Sequence, residues 1–340
     1  ASNILKVLFN IFFATYSDKY KNIIIILSFF TCLSFFYILH FDYRISNFLI
    51  VIIGILGISF FSPILPITES IAFYSIRGIT KNYGYLRLWG SVAFIIAVLI
   101  GGFLIDIYGI FIIPKLILFA SLLVLISSII APKIKKKENN RSLKETINFF
   151  SNKSFIYFIL SCSLIQASHA FYYSFSVIHW NNIGFNGKEV GILWSWAVIA
   201  EILLFYLIGN VNIKKNIILM LFFCSIITSL RWFFTSNITN FYMLFLIQSL
   251  HAVSFSLTHY LSMTYIYLNI PSGLQVKAQS IYYSVSMGFL LTLLTFLSGY
   301  VYNNLGVSLG FYIMGFISLI STFYIYCYIK SNKDLNKLEK

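Results

Sequence analysis

Long apolar runs separated by short polar stretches organise this chain. A helix needs about 20 apolar residues to cross a bilayer. Runs of that kind lie at 1–16, 23–40, 47–75, 86–108, 110–131, 154–178, 188–209, 215–235, 239–269, 275–301 and 306–329. The pattern predicts eleven helices, five before a polar, basic stretch at 132–153 and six after it. The expected fold is an all-α membrane protein. Its N-terminal bundle covers 1–131, its basic linker 132–153, and its C-terminal six-helix bundle with a short tail 154–340.

Composition agrees with the pattern. Hydrophobic residues make up 59% of the 340, charged residues 10%, and mean hydropathy is +0.86. So few charges could not cover the surface of a soluble domain of this size. A net charge of +14 could suggest a nucleic-acid partner. The positions of the basic residues favour membrane topology instead, and no nucleic acid is expected. Lys19 and Lys21; Arg77, Lys81 and Arg87; the linker from Lys133 to Lys153; Lys214 and Lys215; Lys277; and the tail lysines from Lys330 to Lys340 all fall on one side if the runs alternate. Only Lys6, Arg44, Lys115, Lys188 and Arg231 lie elsewhere. By the positive-inside rule the rich side is cytoplasmic, with the C-terminus on it, in a cell (inner) membrane.

That orientation starts the first run outside, yet no signal peptide precedes Ala1. Five runs before the linker and six after it predict that one helix is missing upstream. A full-length form would carry roughly 30–45 further residues. Two six-helix halves joined by a basic loop are the mark of transporter repeats. The halves echo each other: Gly102-x3-Asp106-x2-Gly109 ends one run and Gly299-x3-Asn303-x2-Gly306 ends its counterpart. Within the second half, Leu164-Ile-Gln166-Ala-Ser-His169-Ala recurs as Leu246-Ile-Gln248-Ser-Leu-His251-Ala. Gln and His three apart share a helical face. Two such faces could line one cavity, or serve as interhelical hydrogen-bonding glue.

Candidate chemistry follows from the ionisable residues inside the runs. Glu201 sits mid-run in a chain with only ten acids. A carboxylate at that depth is costly unless protonated or paired, which points to a proton or ion pathway. Glu69 follows Ser62-Pro63-Ile-Leu-Pro66, where two prolines loosen the helix. Arg87 could pair with Glu69, as structure or as a gate. Arg231 either snorkels outward or enters the cavity, where it could hold a carboxylate or pair with Glu201. His251 and His259 lie eight apart, and histidine titrates near neutral pH. Proton coupling is therefore assigned to Glu201, Glu69 and His251, and the cavity to Gln166, His169, Tyr173, Trp194, Arg231, Gln248 and His259. Trp194 shares a face with Glu201 and Tyr173 with His169, although aromatics at 19% make such neighbours common. Cys32, Cys162, Cys224 and Cys327 lack metal-ligand spacing and read as reduced packing residues. The Walker, His-Glu-x-x-His and Gly-x-Ser-x-Gly motifs of enzymes are missing, so neither an enzyme nor a cofactor is expected.

Several of these residues lie in longer motifs: Phe61-Ser-Pro-Ile-Leu-Pro66, Asn82-Tyr-Gly-Tyr-Leu-Arg87-Leu-Trp-Gly-Ser-Val-Ala-Phe94, Leu164 to Tyr173, Leu193 to Glu201, Ser229-Leu-Arg-Trp232 and Gln248-Ser-Leu-His251. On these the chain resembles the major facilitator superfamily, specifically its 3-phenylpropionic acid permease-like members. The resemblance implies two pseudo-symmetric bundles of twelve helices, eleven of them present here, with alternating access and proton symport. The wider group, which is similar to lactose/proton symporters, places acids on its fourth and eighth helices, arginines on its fifth and ninth, and a histidine on its tenth. Glu69, Glu201, Arg87, Arg231 and His251 occupy those helices. The gating loop is represented by Asp18 and Lys19, but Lys21-Asn22 stands where the family has a Gly-Arg-Lys pattern. The resulting expectation is a monomeric carrier of a small organic anion together with protons, such as an aromatic monocarboxylate. Two rival readings are a symporter of a neutral sugar or nucleoside and a degenerate, non-transporting membrane protein.

Overall fold

A computed structural model describes residues 2–17, 23–40, 47–75, 83–131, 143–208, 216–271 and 273–338. Among the described residues the chain is helical and has no strand. In a bilayer only a helix or a closed barrel satisfies its own backbone, and these sequences take the first route. In chain order the helices are α1 (Ser2–Ser17), α2 (Ile23–His40), α3 (Asn47–Phe61), α4 (Ile64–Ser75), α5 (Tyr83–Tyr108), α6 (Ile113–Ile130), α7 (Leu143–Phe150), α8 (Lys153–Ala167), α9 (Ala170–Asn182), α10 (Gly187–Ile208), α11 (Ile217–Asn237), α12 (Phe241–Ser249), α13 (Thr258–Asn269), α14 (Gln275–Tyr283), α15 (Leu291–Leu305) and α16 (Val307–Leu338). Two π-helical turns, Ala252–Leu257 and Ser284–Leu290, join α12 to α13 and α14 to α15.

Eight helical stretches are long and apolar enough to span a membrane: Phe48–Glu69, Ile113–Ile130, Lys153–Asn182, Gly187–Ile208, Ile217–Asn237, Phe241–Asn269, Gln275–Leu305 and Val307–Ser331. Each falls on one of the predicted runs. The other three predicted runs are occupied by α1, α2 and α5. Large apolar side chains such as Phe111 and Phe296 stand 85% and 80% exposed, as lipid-facing residues do.

The sequence sets the helix ends. Asn152 and Asn240 cap α8 and α12 by accepting from the backbone N–H groups of Ser154 and Met243. Asn186 and Glu189 form a reciprocal capping box at the start of α10. Gly109 after α5 and Gly306 after α15, the matching glycines of the two echoed motifs, both take positive φ, at 72° and 85°. That backbone conformation strongly favours glycine, so the same physical requirement ends both copies.

Packing divides the chain into two compact units. The first comprises Ala1–Gly78, Val92–Asn140 and Pro271–Ser284. Its core joins Ile23 and Leu27 of α2, Ile64 and Ile67 of α4, and Val276 of α14. The chain breaks between α3 and α4 at Ser62–Pro63, as the prolines predict, and Ser62 donates its hydroxyl to Asn10 of α1 at 2.9 Å. The second unit comprises Ile79–Ser91, Arg141–Ile270 and Val285–Lys340. In it α16 packs closely on α9 and α11. Gly310 and Gly315 admit the rings of Phe171 and Phe233, where a Cβ would lie 2.0 and 2.6 Å from ring carbons. Reciprocal serine bonds, Ser225 with Ser318 and Ser236 with Ser308, tie antiparallel α11 and α16 through their carbonyls. Small residues and hydroxyls of this kind let membrane helices approach and hold.

Candidate functional site

The site lies inside the second unit, where two of its long spans are interrupted. The first interruption is the turn at Ser168–His169 between α8 and α9. The second runs from Leu250 through the π-helix 252–257. A π-helix displaces the regular ladder and often marks a functional position. The two Gln-x-x-His repeats sit at these two breaks. Gln166 donates to the carbonyl of Phe255 within the π-helix at 2.9 Å, which pins one break against the other.

Arg231 of α11 is the centre, and it is fully buried. Its Nη1 lies 2.9 Å from His251 Nδ1, 2.9 Å from Ser254 Oγ and 3.2 Å from His169 Nε2. Its Nη2 donates to Gln248 Oε1 at 2.9 Å. The guanidinium carbon lies over the rings of Trp232 and Tyr172, 4.4 and 4.9 Å from their centroids. A desolvated cation gains from both ring faces. On the far side of His251, Nε2 meets Glu201 Oε1 at 2.9 Å.

The chemistry of the donors assigns the protons. A guanidinium can only donate, so His251 Nδ1 accepts and the ring proton sits on Nε2, aimed at Glu201. His169 takes the opposite tautomer. Its Nδ1 faces the carbonyls of Ile165 and Gln166 at 3.2 and 3.1 Å and must donate, which leaves Nε2 as the acceptor. Nη1 has two hydrogens for three neighbours. Ser254 resolves this by accepting from Arg231 and passing its own proton to His169 Nε2 at 3.1 Å. With Glu201 ionised, Arg231 and Glu201 form a buried ion pair joined through a neutral imidazole. Removing either charge would strand the other in a low dielectric, at a cost of several kcal/mol.

An aromatic wall adjoins the cluster. Trp194 of α10 stacks on Tyr172 at 4.6 Å and on Tyr173 at 6.1 Å between centroids. His169 stacks on Tyr173 and His251 on Phe255. Tyr172 OH donates to Gln248 Oε1, and Trp232 Nε1 to Ser168. Three buried N–H groups here have no partner: Arg231 Nε, Gln248 Nε2 and Trp194 Nε1. These three lack an acceptor, which a carboxylate or carbonyl would supply, while Gln166 Oε1 of the same network lacks a donor.

Gln166, His169, Gln248, His251, Arg231 and Glu201 therefore form one connected network, with Tyr173 and Trp194 beside it. His259 is buried in α13, eight residues beyond His251 and past the π-helix. Arg87, in the part of α5 that belongs to this unit, is within electrostatic range of Glu201. Glu69 is buried in α4 of the first unit. Asp18 and Lys19 lie outside the described residues. Tyr172, Trp232 and Ser254 were not anticipated from the sequence. Ser254 extends the Gln248-x-x-His251 spacing by another three residues, a usable signal. The two aromatics were lost among many.

Eight helical stretches able to span a bilayer define a multi-pass membrane protein, and its second unit buries a cluster of ionisable side chains. The chain belongs to the MFS_1 like family, which it matches over residues 2–313. It is 30% identical over 268 residues, 78% of this chain and 70% of the relative, to the "Probable 3-phenylpropionic acid transporter" of Escherichia coli (strain K12). It is 21% identical to the "Uncharacterized transporter YwbF" of Bacillus subtilis (strain 168), over 86% of this chain and 73% of that one. Its fold matches the crystal structure of a bacterial homologue of the iron transporter ferroportin in an outward-facing state, with a TM-score of 0.69, 16% identity, and 98% and 88% of the two chains covered. It also matches the human organic anion transporter MFSD10 (TETRAN), with a TM-score of 0.71, 12% identity, and 96% and 82% covered.

Proposed function

We propose that the chain is a proton-coupled symporter of a small organic anion, an aromatic monocarboxylate such as 3-phenylpropionate, working by alternating access. One observation carries the reading: His251 bridges Arg231 and Glu201, entirely within the buried part of a span-forming unit. With Glu201 ionised the cluster is electrically balanced. A proton taken by Glu201 leaves Arg231 without its counter-charge. A carboxylate then restores the balance, held on the edge of Arg231 that carries the unpaired Nε–H. Proton and anion enter as a neutral pair, which lowers the barrier to moving them through the membrane.

Tyr172, Tyr173 and Trp194 supply flat apolar surface for the body of the substrate. The name of the 30% identical relative supports the same substrate class. Glu69 and His251 serve as relays in this scheme, and Asp18, Lys19 and Arg87 take part in gating. The protein acts as a monomer of the twelve-helix type, in the inner membrane, with its C-terminus cytoplasmic. Proteoliposome uptake of labelled 3-phenylpropionate under an imposed pH gradient tests the reading. Accumulation should follow the gradient and be inhibited by aromatic carboxylates. Inhibition by neutral sugars or nucleosides instead would reassign the substrate.

A further inference from the structure

A second polar region lies in the first unit. Gln275, Gln279, Ser280, Tyr282, Tyr283 and Ser284 are all buried. They fall within ten consecutive residues of a stretch apolar enough overall to span a membrane. Gln275, Gln279 and Tyr282 follow one helical stripe of α14, and Val276, Ser280 and Ser284 the stripe beside it. Val276 packs in the core with Ile64 and Ile67, so this side of α14 faces α4. Lys277 and Ile281, on the opposite side, are only half-buried.

Three oxygens on this face have no hydrogen-bond partner: Gln279 Oε1, Ser280 Oγ and Ser284 Oγ. The two serines differ from their neighbours in this unit. Elsewhere in the same unit Ser28, Ser59 and Thr68 donate to the carbonyl four residues back, the fallback that a dry helix offers. Ser280 and Ser284 forgo it. An amide oxygen that accepts, beside two hydroxyls that both donate and accept, is matched to a ligand that does both, an O–H group.

We propose that this face of α14 is a hydroxyl-binding wall of the transport path, taking water or a hydroxyl of the carried substrate. The proposal rests on the family assignment and is independent of proton coupling and of the anion site around Arg231. Cysteine labelling tests it without any transport assay. In a full-length chain whose Cys32, Cys162, Cys224 and Cys327 are replaced by alanine, Ser280→Cys and Ser284→Cys are treated with a sulfonated methanethiosulfonate in right-side-out and inside-out vesicles.

A thiol ionises and reacts only where water reaches it, so both should react at least about tenfold faster than Ile281→Cys from one side or the other. Slowing by 3-(3-hydroxyphenyl)propionate but not by 3-phenylpropionate would identify the substrate hydroxyl as the ligand. Equal labelling in both would identify water. Rates no faster than Ile281→Cys from either side would overturn the proposal. A second readout applies if the cysteine variants do not insert. In a wet wall, Ser280→Ala and Ser284→Ala leave the melting temperature in detergent unchanged. In a dry one they raise it, because an unpaired buried hydroxyl has been removed.

Discussion

Around Arg231 the charged groups are engaged, whereas along α14 three neutral oxygens in six residues have no partner. The difference follows from what each kind of group needs. A guanidinium inside a membrane protein must be balanced, and four side chains from two other spans bond it, with Glu201 of a third span beyond His251. A neutral oxygen left unpaired costs far less, so a face carrying several can be left open for a ligand. Near Arg231 three N–H donors are unfilled, matched to a carboxylate, with Gln166 Oε1 the unfilled acceptor of the same network. On α14 the unfilled groups are oxygens, matched to O–H groups.

The largest change is expected from breaking the fork at the first region. Arg231→Lys keeps the charge but cannot reach His251, Ser254 and Gln248 together. Uptake should fall about 100-fold, the loss of roughly two charge-assisted hydrogen bonds, as measured by initial rates in proteoliposomes. Next is a packing change that leaves both polar regions intact. Gly310→Ala drives a methyl into the ring of Phe171, which is itself fully buried against Phe311. A loss of about 1–3 kcal/mol is expected, seen as a lower melting temperature in detergent. Gly299→Ala, with open space around its Cβ, should melt at the wild-type temperature. The smallest effect sharpens the donor side of the comparison. Tyr172→Phe keeps the ring over Arg231 and loses only the 3.3 Å bond to Gln248. Substrate affinity should drop about threefold, within the range of one neutral hydrogen bond, in a binding titration.

Much of this was legible in the sequence because membrane chemistry leaves few options. Apolar runs gave the helices, and the repeated Gln-x-x-His pattern picked out side chains that meet around Arg231, without showing that the spans break there. What the pattern could not give is which partner each residue takes. Gln166 shares a face with His169 yet bonds the Phe255 carbonyl, because the π-helix presents that carbonyl and only tertiary packing sets a π-helix there. Tyr173 was favoured over Tyr172 by its spacing from His169, but Tyr172 points inward and Tyr173 remains 38% exposed. The polar half of the 275–301 run was hidden for another reason. Averaging over a full span let the apolar residues of α15 mask the glutamines and serines of α14.

The central claim is that Glu201 carries the coupled proton to a site whose fixed charge is Arg231. Glu201→Gln tests it most directly, because the amide still accepts from His251 Nε2 but cannot take up and release a proton. In proteoliposomes with an imposed pH gradient, this variant should exchange labelled 3-phenylpropionate across the membrane yet fail to accumulate it against its gradient. Full uphill accumulation by Glu201→Gln would contradict the account.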